Sequence, residues 1–148
     1  MRCRRRDENG AVLVEFVLVL PIFLFLIFAM ISIGVMFSFR QTLSQAAADG
    51  ARAAAVAPAN LTFTQRRDRA IGAVNEAFDG EAGDPVSCGV GGLTCAVPAV
   101  PTSCGDADQC ISVTLTHAYA ANPRIELPQL FGFVLPDELT YTASARIK

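Results

Sequence analysis

The chain has 148 residues, with 12 Lys and Arg against 14 Asp and Glu, one His, and a formal net charge of −2. That length leaves room for one membrane helix and one small domain, and a domain of about 90 residues buries only a modest core. After Phe39, eight basic residues stand against eleven acidic ones with no basic block, which makes nucleic acid a poor partner. One histidine would have to serve any acid–base scheme. With no P-loop, Gly-x-Ser-x-Gly or His-Glu-x-x-His pattern, the expectation is a protein that is not an enzyme and holds no cofactor or metal.

The N-terminus is basic, with Arg2, Arg4, Arg5 and Arg6, and it leads directly into an apolar run from Ala11 to Phe39 whose only charged side chain is Glu15. A hydrocarbon core about 30 Å thick needs about 20 apolar residues at about 1.5 Å each, so this run is long enough to cross a membrane. The arginines before it predict a cytoplasmic N-terminus and export of everything after Phe39. An ordinary signal peptide fits less well, because its apolar region is about 7 to 15 residues and Ala46-Ala47-Ala48 is the nearest small-residue cleavage site. Cys3 is either a palmitoylation site or an incidental thiol. Pro21 removes a backbone donor and predicts a kink.

An acidic side chain inside an apolar helix costs roughly 2.5 to 3.5 kcal/mol at mid-membrane, and less near the helix start, where the dipole and the headgroups help. A boundary carboxylate is the plain reading of Glu15. The sharper one depends on Gly10: were the bond after it cut, the new amine on Ala11 would lie one helical turn from Glu15. Cation and carboxylate would then offset each other's burial, within a subunit or between neighbours.

A basic leader, Gly10, four apolar residues, then Glu15-Phe16 and a long apolar helix resembles the class III signal of type IV pilin-like proteins. The continuation Phe16-Val17-Leu18-Val19-Leu20-Pro21, with Arg40-Gln41-Thr42-Leu43 and Ala47-Ala48-Asp49-Gly50-Ala51-Arg52-Ala53-Ala54-Ala55-Val56, is similar to the TadE-like minor pseudopilins of tight-adherence pilus systems. The resemblance covers about the first 57 residues. It implies cleavage between Gly10 and Ala11 by a prepilin peptidase, with Glu15 and Phe16 serving assembly. It also implies other pseudopilins, a pilus assembly platform and the lipid bilayer as partners.

Helical spacing continues past the membrane. Leu43, Ala46, Ala47, Gly50, Ala51 and Ala54 form a small apolar stripe, Gly50 weakens it by up to about 1 kcal/mol relative to Ala, and Pro58 ends it. Thr62-Phe63-Thr64-Gln65 reads as a capping box opening a second helix. Its apolar face is Ala70, Ile71, Val74, Ala77 and Phe78, with Arg66, Arg69, Asn75 and Glu76 toward water or partners, and Gly80 closes it. Arg66, Arg67 and Arg69 read as a solvated basic face.

Residues 81–109 are rich in Gly, Pro, Asp and Ser and would stay loose unless tied. They hold Cys88, Cys95 and Cys104, with Cys110 just beyond. Four exported cysteines argue for two disulfides, for which three connectivities exist. Short separations favour Cys88–Cys95 and Cys104–Cys110. Zinc is the rival, at spacings looser than usual, and Asp106 and Asp108 read as loop rather than cation ligands. Ile111, Val113 and Leu115 alternate with Ser112, Thr114 and Thr116, and Leu139, Tyr141, Ala143, Ala145 and Ile147 alternate with Thr140, Thr142, Ser144 and Arg146. Two antiparallel strands follow, and His117 falls in phase with the apolar face as a structural histidine. Between them, Leu127, Leu130, Phe131, Phe133, Val134 and Leu135 supply core, or else an exposed patch for a neighbouring subunit or the membrane surface.

The expected fold is α+β: a leader (1–10), a transmembrane and projecting helix (11–57) and a small exported domain with a Cys-rich loop (58–148). Two function classes remain. One is a minor pseudopilin anchored in a bacterial inner membrane, which either primes assembly there or is built into an extracellular pilus. The other is a membrane-anchored periplasmic binding module that uses the helix only as a tether.

Overall fold

The computed structural model describes residues 7–79, 85–104, 109–124 and 136–147. Two compact units are distinguished, Met1–Val35 and Met36–Lys148. The architecture is the expected α+β one. A first helix α1 (Asp7–Ala55, 49 residues) is followed by α2 (Phe63–Phe78) and by strands β1 (Leu93–Ala96), β2 (Thr102–Ser103), β3 (Gln109–His117) and β4 (Leu139–Arg146).

In the first unit α1 continues through Pro21. Its apolar side chains lie open: Val12, Leu13, Val14, Phe16, Val17 and Leu18 all keep about 60% or more of their surface exposed. Water does not tolerate such a surface, and a bilayer or an apolar helix bundle does.

The second unit begins where the periodicity of α1 changes. Phe39, Leu43, Ala46, Ala47, Ala51 and Ala54 recur at helical spacing and are buried to 2% or less. The stripe predicted from the sequence is thus core. Gly50 belongs to it for a reason of contact. A Cβ there would sit 2.8 Å from Val74 Cγ2 and 3.1 Å from the Ala70 carbonyl oxygen, so its absence lets α2 come close.

The capping box of α2 is formed as read. The Thr62 side chain accepts from Gln65 N–H at 3.3 Å, and Gln65 Oε1 accepts from Thr62 N–H at 2.9 Å. The helix closes at Phe78 with Asp79 as its cap; Gly80 lies outside the described residues. Ala70, Val74 and Phe78 are buried in the core.

Strand β3 is the centre of a four-stranded sheet. β4 runs antiparallel along it from Cys110↔Arg146 to His117↔Leu139. On its other edge β1 pairs with residues 114–117 and β2 with Cys110 and Gln109. Ile111, Val113, Leu115 and His117 point into the core, and Ser112, Thr114 and Thr116 point away, as the alternation predicts. On the outer face Thr114 and Thr142 hydroxyls bond at 2.9 Å across the strands.

Two features correct the sequence reading. Residues 81–109, read as a loop that needs its disulfides to be tied, also contribute β1 and β2, because an antiparallel partner on β3 satisfies their backbone groups. Arg66 is not solvated but 5% exposed. Its Nη1 donates to the carbonyls of Ala54 (3.0 Å) and Ala55 (3.4 Å), and its Nη2 to Pro58 (3.0 Å), capping the acceptors left over at the end of α1.

Candidate functional site

Gly10, Ala11, Glu15 and Phe16 all lie on α1, and helix continues on both sides of Gly10. Nothing lies within 4 Å of where a Gly10 Cβ would be. Ala11 and Glu15 stand four residues apart, the spacing that brings side chains together on one helix face. Glu15 is exposed, as are its neighbours Val14 (61%) and Phe16 (60%). A carboxylate presented among apolar side chains, at the start of a long apolar helix, is suited to meet a cation as that surface is covered.

The Cys-rich loop is a second candidate. Cys88 is bonded to Cys95 with Cα atoms 5.3 Å apart, and Cys104 to Cys110 at 5.8 Å. These are the two pairings favoured from spacing, and sulfurs bonded to one another do not form a zinc set. The first bridge closes a tight turn in which Gly89, Gly91 and Gly92 take positive φ. At Gly91 a Cβ would approach the Pro85 carbonyl oxygen to 2.7 Å. Asn75 on α2, read from sequence as facing water or a partner, accepts the Cys88 N–H at 2.9 Å and fastens the turn to the helix. Asp106, Asp108 and the segment from Leu127 to Leu135 lie outside the described residues.

His117 holds the turn from the sheet side. It is fully buried, and its Nε2–H donates to the Gly91 carbonyl at 2.9 Å. Its Nδ1 has no hydrogen-bond partner among the described residues. The ring packs edge-on to Phe39, with centroids 4.7 Å apart, and stands near Tyr119. Burial lowers the His117 pKa below 6.5, the Gly91 bond pulls the other way, and the Arg124 charge lowers it further. Burial raises the Tyr119 hydroxyl, while Arg124 pulls it down. This is a packed structural histidine, as its place at the end of the strand suggested.

The motif at residues 10–16 and the cysteines were legible as local patterns. Arg66 and Asn75 were not, since each is defined by a backbone group 8 to 13 residues away in sequence.

A family model described as "TadE-like protein" matches residues 10–52. The match begins at Gly10 and covers α1 up to its last turn. No curated protein and no solved structure matches the chain.

Proposed function

We propose that this chain, TadE-like over residues 10–52, is a minor pseudopilin: a subunit that helps to build a tight-adherence pilus or a related secretion machine. The family is a structural, pilus-associated one, and a long apolar helix compatible with membrane anchoring accords with it. In this reading the leader stays on the cytoplasmic side of a bacterial inner membrane, and a prepilin peptidase cuts between Gly10 and Ala11. The helix then leaves lipid for a bundle of like helices, and the domain from residue 58 on is exported.

One observation carries the reading. Glu15 lies one turn from Ala11 on a stretch of α1 that is otherwise apolar and exposed, so a new α-amino group would give that carboxylate a counter-charge where it must be desolvated. A tether would gain nothing from a charge there.

The test is N-terminal sequencing of protein from its native membrane, together with Glu15→Val. The expected mature N-terminus is Ala11, and the expected Glu15→Val protein inserts normally but fails to enter the pilus machine. An intact Met1 or a fully active variant would instead leave a membrane-anchored binding module.

A further inference from the structure

Within the second unit the exposed charges divide unevenly between two ends. At the close of α1 stand Arg52, in its last turn, and Arg67 and Arg69, in the first two turns of α2, all exposed. The bonds from Arg66 to Ala54, Ala55 and Pro58 hold the start of α2 against that end, and Arg69 lines one groove with Ala53 and Val56. Arg66 adds its own positive charge there, since those bonds go to carbonyl oxygens and not to an acid. Asp68 is the acid among these arginines, and Asp49 lies a turn further back.

Phe39 marks the other end. Its ring lies 6.1 Å from that of Phe78, the last residue of α2, and 4.7 Å from that of His117, the last residue of β3. Asp79 follows Phe78, and Asp137 and Glu138 precede Leu139, which pairs with His117. These three acids are exposed, whereas Arg40 and Arg124 are partly covered and lie over the rings of Phe37 and Phe39. Phe39 and Ala54 are about 22 Å apart along the helix. That exceeds two screening lengths of about 8 Å at physiological ionic strength, so neither end neutralises the other.

A two-fold contact at either end would set like charges face to face. Copies held in one orientation instead bring the basic end of one to the acidic end of the next, a heterologous contact whose outer ends stay open to repeat it. We propose that the Arg52, Arg67 and Arg69 end of one copy receives the Asp79, Asp137 and Glu138 end of a second copy, stacking these domains head to tail. The inference goes beyond the subunit reading given above and rests on it for the common orientation. Each exposed pair is weak alone; the pattern of sign favours a like-oriented copy over an inverted one.

The test uses the full chain, disulfides intact, in a neutral detergent, with self-association followed by sedimentation at about 0.01 M and about 1 M salt. Growth beyond a dimer is expected at low salt, and dissociation at high salt. Arg67→Glu with Arg69→Glu makes both ends acidic, and Asp137→Lys with Glu138→Lys makes both basic, so each protein alone should associate about tenfold or more weakly. An equimolar mixture of the two should recover most of that loss, because each reversed end then meets a reversed partner. Asp68→Asn should strengthen association, an effect that damage to the fold would not give. A chain that stays monomeric at low salt, association that stops at a dimer, or a mixture no better than its components would overturn the proposal. If a double variant unfolds, as far-UV circular dichroism would reveal, Asp68→Asn and the salt dependence decide. An intact Met1 in the native membrane counts against the subunit reading itself, whereas a processed chain whose charge reversals associate unchanged refutes the contact alone.

Discussion

Gly50→Ala tests the packing of α2 and β3 against the second half of α1. In an isolated helix the change is favourable, because alanine restricts the unfolded chain and has the higher helix propensity, a gain of about 1 kcal/mol. Here the added methyl would lie 2.8 Å from Val74 Cγ2, 3.1 Å from the Ala70 carbonyl oxygen and 3.6 Å from Val113 Cγ1. Val74 and Val113 are fully buried, branched at Cβ and confined to few rotamers, and a carbonyl in the middle of α2 cannot withdraw without moving its helix. Overpacking of this kind costs about 1–3 kcal/mol, and the rigidity of all three neighbours places the cost in the upper part of that range. The net expectation is a loss of about 1–2 kcal/mol, or a Tm lower by about 4–8 °C per kcal/mol for a domain of this size. Gly72→Ala is the internal comparison. It lies within α2, nothing is within 4 Å of its Cβ position, and it should stabilise by about 1 kcal/mol. Thermal and urea unfolding of both variants in the same detergent gives the comparison. If Gly50→Ala stabilises as much as Gly72→Ala, the close approach of α2 to α1 at this point is wrong.

Arg66→Met keeps most of the buried aliphatic volume but leaves the carbonyls of Ala54, Ala55 and Pro58 without their donor, and should cost about 2–4 kcal/mol in urea unfolding. For His117 the folded pKa is lowered, so above pH 6.5 neither folded nor unfolded state holds the proton, and the group contributes no slope. As pH falls below 6.5 the unfolded chain takes up a proton that the folded one refuses. Stability should then fall, by at most about 1.4 kcal/mol per pH unit, until the folded pKa is passed. His117→Gln should flatten that part of the profile measured between pH 6.5 and 5; an unchanged slope would assign it to other groups. Thiol labelling of the denatured, unreduced protein should find one thiol, Cys3, in the full chain and none in a chain that begins at Ala11, and more than one would reject the disulfides. Reduction should cost about 2–3 kcal/mol for each short loop opened.

What the sequence disclosed was whatever a single segment determines. A capping box needs four consecutive residues, and the stripe from Leu43 to Ala54 needs only helical spacing, so both could be read directly. The alternation of β3 and β4 was legible because each strand is half buried along its length. β1 and β2 escaped because they are short and depend on β3, which follows them in the chain, for their backbone partners. Arg66 was misplaced for a related reason: a basic residue in a polar helix looks solvated until the end of another helix is set against it. Gly50 looked like a weakness because the cost of a glycine is local and its benefit is tertiary. Of the candidate site, the spacing from Gly10 to Phe16 was visible in full, while the fastening of the Cys88–Cys95 turn by Asn75 and His117 required the assembled fold.

The order of the strands has a bearing on how the domain matures. β4, the last strand in the chain, is also the one that borders β3 along nearly its whole length. A nascent polypeptide therefore carries an incomplete sheet until residues 139–146 have been added. Truncation short of Leu139 would leave β3 with its backbone groups bare along that edge, a strand open to proteolysis and to mispairing.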